Sequence, residues 1–187
     1  MSYLPKAQSV DQKGALDGFF PPMAFNRQVL EGGYTRIELS VPPDKLAVVH
    51  KQLAEQISFP CKIRYLKLTD RIKGQLPDPE SYVAVEISKD RLMQVLTELS
   101  SLIHYDGRHQ FWVVGHKSEQ IILDELGMIY IYPDDFLFRD VLSELGFLEA
   151  AHENMASRDY VRVNFLPIGD QQENVLFQSL GFVRWEG

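Results

Sequence analysis

Apolar and polar side chains alternate along several stretches of this chain. Ile37, Leu39 and Val41 are separated by polar residues, and this period of two predicts a half-buried strand over residues 34–41. Alternation or short apolar runs predict further strands over residues 61–69, 82–88, 110–115, 121–123, 128–132, 160–165 and 182–185. Gly127, between two of these strands, is expected at the left-handed position of a short hairpin loop.

Helical spacing of apolar residues, together with capping signals, predicts four helices. They begin at Pro42-Pro43-Asp44, at about Lys89 with Ser88 as the N-cap, at Pro133-Asp134-Asp135, and at Asp170-Gln171-Gln172-Glu173, which resembles a capping box. Gly146 and Gly181 follow the third and fourth helices, where a left-handed C-cap is expected. The apolar stripe of the second helix consists of Leu92, Val95, Leu96, Leu99, Leu102 and Ile103.

The order of these elements predicts an α+β fold. Over residues 34–115 it is strand, helix, strand, strand, helix, strand, the order of the ferredoxin-like split βαβ unit. A β-hairpin and two further helix–strand units extend this unit. Residues 1–33 lack periodicity, but Phe19, Phe20 and Phe25 predict an N-terminal arm that packs on the body. We expect residues 34–187 to form one continuous domain, with any sub-boundary falling near residues 116–119.

Composition is that of a soluble globular domain. The chain is 45% hydrophobic and 24% charged, which excludes disordered, collagen-like and disulfide-rich classes. The lone cysteine, Cys61, cannot form an internal disulfide, and its place in an alternating strand favours a packing role. The start of the chain has no apolar signal segment, and no apolar run approaches the roughly 20 residues of a membrane helix. We therefore expect a cytoplasmic protein that does not enter a membrane.

Most of the negative charge lies in the last third of the chain. Residues 1–117 carry 15 basic and 13 acidic side chains, residues 118–187 carry 4 and 13, and the net charge is −7. An acidic surface repels phosphate backbones, which argues against nucleic-acid binding. The local basic run is interpreted as a solvated strand edge and loop. It consists of Lys62, Arg64, Lys67, Arg71 and Lys73.

Common catalytic and metal-binding motifs are missing from the sequence. There is no nucleophile elbow, P-loop, H-E-x-x-H motif or dinucleotide-binding fingerprint. His104, His109 and His116 are close in sequence, but alternation points His109 and His116 to opposite strand faces. We interpret all three as surface or turn histidines. We therefore expect no catalytic residue, no metal and no cofactor, and favour a protein without enzymatic activity.

One segment resembles an enzyme family. Residues 174–182, Asn-Val-Leu-Phe-Gln-Ser-Leu-Gly-Phe, resemble the closing strand–helix–Leu-Gly-Phe segment of GNAT-type N-acetyltransferases. The resemblance implies acetyl-CoA as cofactor and a role for Phe177, at a position that is commonly Tyr, beside the thioester or leaving thiol. The pyrophosphate-binding loop of that family does not occur upstream. A diverged acyltransferase that uses acetyl-CoA is therefore the alternative function.

A partner-binding surface is the function that the residues favour. In strand 128–132, Met128, Tyr130 and Tyr132 share one side, and Ile129 and Ile131 share the other. If the isoleucines meet the core, the Met/Tyr side is at least partly exposed. If both sides are buried, the tyrosine hydroxyls need internal partners.

Carboxylates follow this strand closely, and tyrosines rimmed by carboxylates are suited to capturing a basic protein. We predict a non-enzymatic module that binds a basic protein partner, similar in size, acidity and aromatic content to small immunity or antitoxin proteins. Its oligomeric state is left open. The predicted contact residues are Tyr130, Tyr132, Asp134, Asp135, Asp140 and Glu144.

Overall fold

Five α-helices and two β-sheets form the part of the chain that a computed structural model describes, residues 5–70, 72–162 and 166–186. The strands are Ala7–Ser9 (β1), Ala24–Val29 (β2), Thr35–Ser40 (β3), Cys61–Asp70 (β4), Gly74–Ile87 (β5), His109–Val114 (β6), Gln120–Leu123 (β7), Ile129–Tyr132 (β8), Leu148–Glu149 (β9), Tyr160–Arg162 (β10) and Val183–Trp185 (β11). The α-helices are Leu46–Ala54 (α1), Lys89–Glu98 (α2), Ser100–Tyr105 (α3), Phe136–Glu144 (α4) and Pro167–Leu180 (α5). Two short 3-10 turns lie at Glu31–Gly33 and Met155–Ser157.

The larger sheet contains nine strands in the order β11-β5-β4-β6-β7-β8-β3-β2-β9. Neighbouring strands are antiparallel, except that β9 runs parallel to β2. The smaller sheet pairs β1 with β10, so that Ala7 lies opposite Arg162. Backbone hydrogen bonds therefore join the start of the described chain to the segment that precedes α5.

All five helices pack on one face of the larger sheet. Leu53, Leu96 and Leu142 of the helices belong to one hydrophobic cluster with alternate strand residues such as Ile63 and Ile129. We call this side the inner face and the opposite side the outer face, since successive strand side chains point to opposite sides. No helix within the described residues is long and apolar enough to cross a membrane.

The mixed α+β architecture is confirmed, but the ferredoxin-like arrangement predicted over residues 34–115 is not. A split βαβ unit would place β3 and β5 side by side in parallel. In the structure β3 lies between β8 and β2, whereas β5 lies between β4 and β11. Alternation determines which side of a strand is buried, but it does not determine which neighbour the strand pairs with.

Several element boundaries also differ from the predictions. Residues 74–79, expected in a loop, open the long strand β5, and the second predicted helix is divided into α2 and α3 at Leu99 (φ −106°, ψ 24°). The strand predicted over residues 160–165 begins as β10, and residues 163–165 lie outside the described residues. The basic run begins inside the sheet, because β4 lies between β5 and β6 and is not an edge.

The predicted capping box of the last helix has a different role. Helix α5 begins earlier, with Pro167 in its first turn. The Asp170 carboxylate accepts a 2.6 Å hydrogen bond from Arg108, and Glu173 accepts bonds from the Tyr65 hydroxyl (2.6 Å) and from Lys67 (3.1 Å). These polar contacts attach the first half of α5 to β4 and to Arg108, which directly precedes β6.

The first 33 residues contribute two strands. Strand β2 belongs to the larger sheet, where Phe25 is buried in the main cluster. Phe19 is half-buried and Phe20 is 66% exposed. The division into an arm over residues 1–33 and a domain over residues 34–187 stays a prediction.

Substituting core leucines of the second predicted helix should be costly. Leu96→Ala or Leu99→Ala is expected to lower the free energy of unfolding by about 2–5 kcal/mol, because each removes buried methylene groups from the main cluster. Urea denaturation followed by circular dichroism measures this change. Val48→Ala on α1 is the control, since Val48 is 55% exposed and its loss should cost within about 0.5 kcal/mol. Equal costs at all three positions would contradict this placement of the core.

Candidate functional site

The residues predicted to form one partner surface lie on two sides of the larger sheet. Tyr130 and Tyr132 are half-buried on the outer face of β8. The Arg36 guanidinium lies 4.9 Å from the centre of the Tyr130 ring and donates a 3.1 Å hydrogen bond to the Tyr132 hydroxyl. Asp140 and Glu144 are exposed on α4, which packs on the inner face. The two tyrosines and the two α4 carboxylates are therefore not neighbours, and their role in binding stays a prediction.

The outer face of β8 is partly covered by other segments. Met128, which precedes β8, is only 1% exposed, and Tyr130 packs against its cluster. Burial, followed by the charge of nearby carboxylates, raises the pKa of Tyr130. The expected exposure of Met128 is not observed, because distant residues cover it. They are Ala7, Phe19 and Met155.

Asp134 takes part in internal ion pairs. Its carboxylate accepts hydrogen bonds from Arg27 at 2.5 Å and from Arg139 at 2.9 Å, and its side chain is 5% exposed. Its backbone N–H also donates to the Thr35 hydroxyl at 3.2 Å. Asp134 therefore joins the start of α4 to β2 and β3 instead of facing solvent.

Helix α4 presents carboxylates and apolar side chains together. Asp135, one of the two aspartates at the predicted start of this helix, is its N-cap and accepts a 2.9 Å hydrogen bond from the Leu137 N–H. Phe136 and Leu137 are 65% and 40% exposed. Asp140 and Glu144 are exposed one and two turns further along the helix. The exposed apolar side chains on this helix are Phe136 and Leu137, whereas the predicted tyrosines lie on β8.

Two depressions beside α4 share Gln56 in their linings, and together we call them the α1–α4 groove. One part encloses about 480 Å³ and is lined by residues that include Gln56, Ser58, Lys117, Glu119, Asp135 and Phe136. The adjoining part encloses about 380 Å³ and is lined by Gln52, Glu55, Gln56, Val141, Glu144 and Leu145. Four carboxylates line the groove, against the single ammonium of Lys117 among its described lining residues.

Glu119 shapes one wall of the α1–α4 groove. Its carboxylate accepts hydrogen bonds from the Ser58 N–H (2.9 Å) and hydroxyl (2.8 Å), and that hydroxyl accepts a bond from the Lys117 N–H (2.7 Å). Burial acts to raise the pKa of Glu119, but these hydrogen bonds hold it below its ordinary value. A Cβ at Gly115 would collide with this carboxylate. The negative charge of the groove wall is therefore fixed in position at neutral pH.

Two histidines predicted at the surface are instead fully buried. His104 and His109 are 0% exposed, whereas His116 is exposed. The Nε2 atom of His104 lies 3.1 Å from Nδ1 of His50, and its Nδ1 lies 3.0 Å from the Ser100 hydroxyl. The prediction is wrong because α3 extends to residue 105 and β6 begins at residue 109, so both side chains point into the core.

Lys6 lies beside these histidines in the interior. Its ammonium donates hydrogen bonds to the backbone carbonyls of Ile103 (3.2 Å) and His109 (3.1 Å). Burial lowers the pKa of Lys6, and the carboxylates of Asp124 and Asp106 oppose this shift. No sequence pattern around residue 6 indicates a buried lysine, since its partners lie about a hundred positions away.

The buried histidines are neutral at physiological pH. Burial, followed by the charge of Lys6, lowers the pKa of His50 to about 3. Burial also lowers the pKa values of His104 and His109 well below 6.5. The His109 ring stacks on Tyr65 at 4.5 Å, and neither of its nitrogens has a hydrogen-bond partner among the described residues. Within those residues no group of three His, Cys, Asp or Glu side chains could hold a metal ion.

The segment that resembles acetyltransferases lies at one edge of the larger sheet. Phe177 is half-buried on α5, with its ring 4.7 Å from Tyr82 and 5.1 Å from Phe182. Gly181 ends the helix at φ +63°, as predicted, and β11 then pairs with β5. The preceding strand, β10, belongs to the smaller sheet and does not lie beside β11. Phe177 is therefore packed among aromatic rings of the protein itself.

No protein-family model, curated protein or solved structure matches this chain.

His109→Phe should preserve stability at neutral pH and reduce the sensitivity to acid. Phenylalanine keeps the stack on Tyr65 and removes two buried nitrogens that lack described partners. The folded pKa of His109 lies below its unfolded value, so stability is fully present above about pH 6.5 and falls as the pH drops below it. The wild-type free energy of unfolding should therefore fall by up to about 1.4 kcal/mol per pH unit more steeply than that of the variant.

Urea denaturation of both proteins at several values between pH 7.5 and 4.5 tests this prediction. Four positive or titratable groups act on the pKa of His109, and all of them are unchanged in the variant. They are Lys6, Arg108, His104 and Lys67. Burial raises the pKa of Asp124 to about 7, so protonation of Asp124 increases the free energy of unfolding as the pH falls. This contribution is the same in both proteins. Identical slopes for the two proteins would mean that His109 is not held neutral by the fold.

Proposed function

We propose that this protein is a non-enzymatic binding module that engages a basic protein partner through the α1–α4 groove. The observation that carries the proposal is the position of Phe136 and Leu137, which are exposed beside Asp135 on the rim of the groove. Exposed aromatic and aliphatic side chains next to a concave surface are typical of protein-binding sites. The proposed biological role is inhibition, in which the groove occupies a basic site of the partner, as small immunity proteins do.

Charge supports a basic partner. Four carboxylates line the groove, and Asp140 is exposed nearby on α4. The four are Glu55, Glu119, Asp135 and Glu144. Carboxylates around an apolar centre accelerate encounters with a basic protein and disfavour acidic ones. The acidic last third of the sequence thus contributes α4, most of the groove carboxylates and the exposed apolar pair.

Binding is proposed instead of catalysis because the groups with the largest pKa shifts lie elsewhere. Lys6 and the three buried histidines are 0% exposed in the core, and none of them lines the groove. Catalytic acids and bases are expected in an accessible cleft. A rise in melting temperature with acetyl-CoA would instead support the alternative, acyl transfer, since a ligand of the folded state stabilises it.

Reversing two exposed carboxylates should weaken partner capture without unfolding the protein. Asp140→Lys together with Glu144→Lys is expected to change the free energy of unfolding by about 1 kcal/mol or less, because both side chains are exposed. Association with a basic partner should slow and become less dependent on salt. Partners captured from native lysate at low and high salt, identified by mass spectrometry, provide the measurement.

A charge-matched control separates this effect from that of net charge. Asp78→Lys together with Asp159→Lys adds the same charge at exposed positions outside the groove. This control should capture the same partners as the wild type. If both double variants lose the partner equally, net charge explains capture and the groove does not.

Removing the exposed aromatic ring of α4 should weaken binding through lost apolar contact. Phe136→Ala is expected to fold normally, because Phe136 is 65% exposed, yet to weaken binding of the captured partner about tenfold or more, as a hot-spot residue does. Tyr34→Ala, at an aromatic residue that is 72% exposed outside the groove, is the control and should bind normally. Titration calorimetry with the purified partner gives both affinities, and an unchanged affinity for Phe136→Ala would contradict the proposed site.

A further inference from the structure

Only part of the outer face of the larger sheet is covered by other segments. The small cluster that includes Ala7, Met128 and Met155 covers the region around β8. At the other end, β11, β5, β4 and β6 carry apolar side chains that remain open to solvent. Val183 and Trp185 on β11 are 69% and 59% exposed. This end of the sheet therefore presents an apolar surface that the described chain does not bury.

These side chains surround a shallow trough of about 320 Å³, which we call the β11 patch. It is lined by Lys62, Arg64, Val83, Val85, Val114 and Trp185. Strand register places them together, because Arg64 lies opposite Val83 on one neighbour and opposite Trp112 on the other. Val85 is 54% exposed at the rim.

Two cations of the β11 patch have no carboxylate partner among the described residues. Lys62 is exposed, and Arg64 donates a 2.8 Å hydrogen bond from Nε to the Ser81 hydroxyl. The Arg64 guanidinium also lies 4.7 Å from the centre of the Trp112 ring. These contacts hold Arg64 in place, and neither of them is with a carboxylate. The patch is thus apolar and positive, the opposite of the α1–α4 groove.

We propose that the β11 patch binds an acidic segment of a partner protein, with carboxylates against Lys62 and Arg64 and an apolar side chain against Trp185. Trp and Arg are the residues most enriched at binding hot spots, and here they lie in one trough. Charge complementarity selects an acidic segment, because Lys62 and Arg64 attract carboxylates and repel a basic segment. The site is separate from the α1–α4 groove, since it lies on the other face of the sheet.

Single-stranded nucleic acid is the occupant that the patch fits less well. Nucleic-acid platforms stack successive bases on several aromatic rings. Here Arg64 covers one face of Trp112, and the remaining walls are valines, so Trp185 is left as the ring with exposed surface in the trough.

The test uses a fluorescein-labelled peptide of Asp and Glu interrupted by Phe, titrated with the full chain at low salt and followed by anisotropy. We expect saturable binding that quenches or shifts tryptophan emission, and this emission change should be lost in Trp185→Ala. Lys62→Glu should weaken binding about tenfold, because it replaces attraction by repulsion at the trough. The control Lys45→Glu replaces an exposed lysine that lies beside Asp44 just before α1 and should change the affinity less than twofold.

Three results would overturn the proposal. They are failure of the wild type to bind the peptide, equal weakening by Lys62→Glu and Lys45→Glu, and displacement of the peptide by a poly-thymidine oligonucleotide. The last result would assign the patch to nucleic acid. The variant with Asp140→Lys and Glu144→Lys should still bind the acidic peptide, so failure of the groove and failure of the β11 patch are distinguishable. Circular dichroism of each variant verifies that it is folded.

Discussion

The attachment of α5 to the rest of the protein depends on the ion pairs that the buried guanidinium of Arg108 makes with two aspartates. It donates to both oxygens of Asp106, at 2.7–3.0 Å, and to Asp170 on α5 at 2.6 Å, while its own carbonyl accepts the Leu68 N–H. An unpaired charge at this depth would cost about 3–5 kcal/mol. Gly169 is part of the same constraint, because a Cβ there would lie 2.6 Å from Asp106 and 2.9 Å from Arg108. Helix α5 can therefore lie this close to the Arg108–Asp106 ion pair only because residue 169 is a glycine and has no side chain.

The sequence predicts local structure well wherever burial of one face decides it. Four such features are found in the structure. They are the strand that contains Ile37 and Leu39, the hairpin closed at Gly127, the N-cap Ser88 and the helix stop at Gly181 (φ +63°). Strand order was not predictable in this way. The backbone N–H and C=O groups of β3 can pair with any neighbouring strand. Its pairing with β8 and β2 depends on packing between distant segments.

The candidate site shows the same division between local and distant information. That Asp140 and Glu144 face away from the core follows from helical spacing and is confirmed. Asp134 belongs to the same acidic run, but it is used internally because Arg27, more than a hundred positions earlier, reaches it. Sequence spacing cannot separate a carboxylate that meets a distant arginine from one that meets water. Likewise, Lys62 lies within a basic run, but only the register of β4 with β6 and β5 places it beside valines and Trp185.

The pairing of β1 with β10 has a consequence for the rate of folding. Ala7 lies opposite Arg162, and the ammonium of the neighbouring Lys6 joins the carbonyls of Ile103 and His109, which are also distant in sequence. Contacts between distant positions form slowly, because closing the loop between them costs chain entropy. The smaller sheet and the buried lysine should therefore form late in folding, after the local hairpins of the larger sheet. Intermediates that lack them expose apolar surface that invites aggregation.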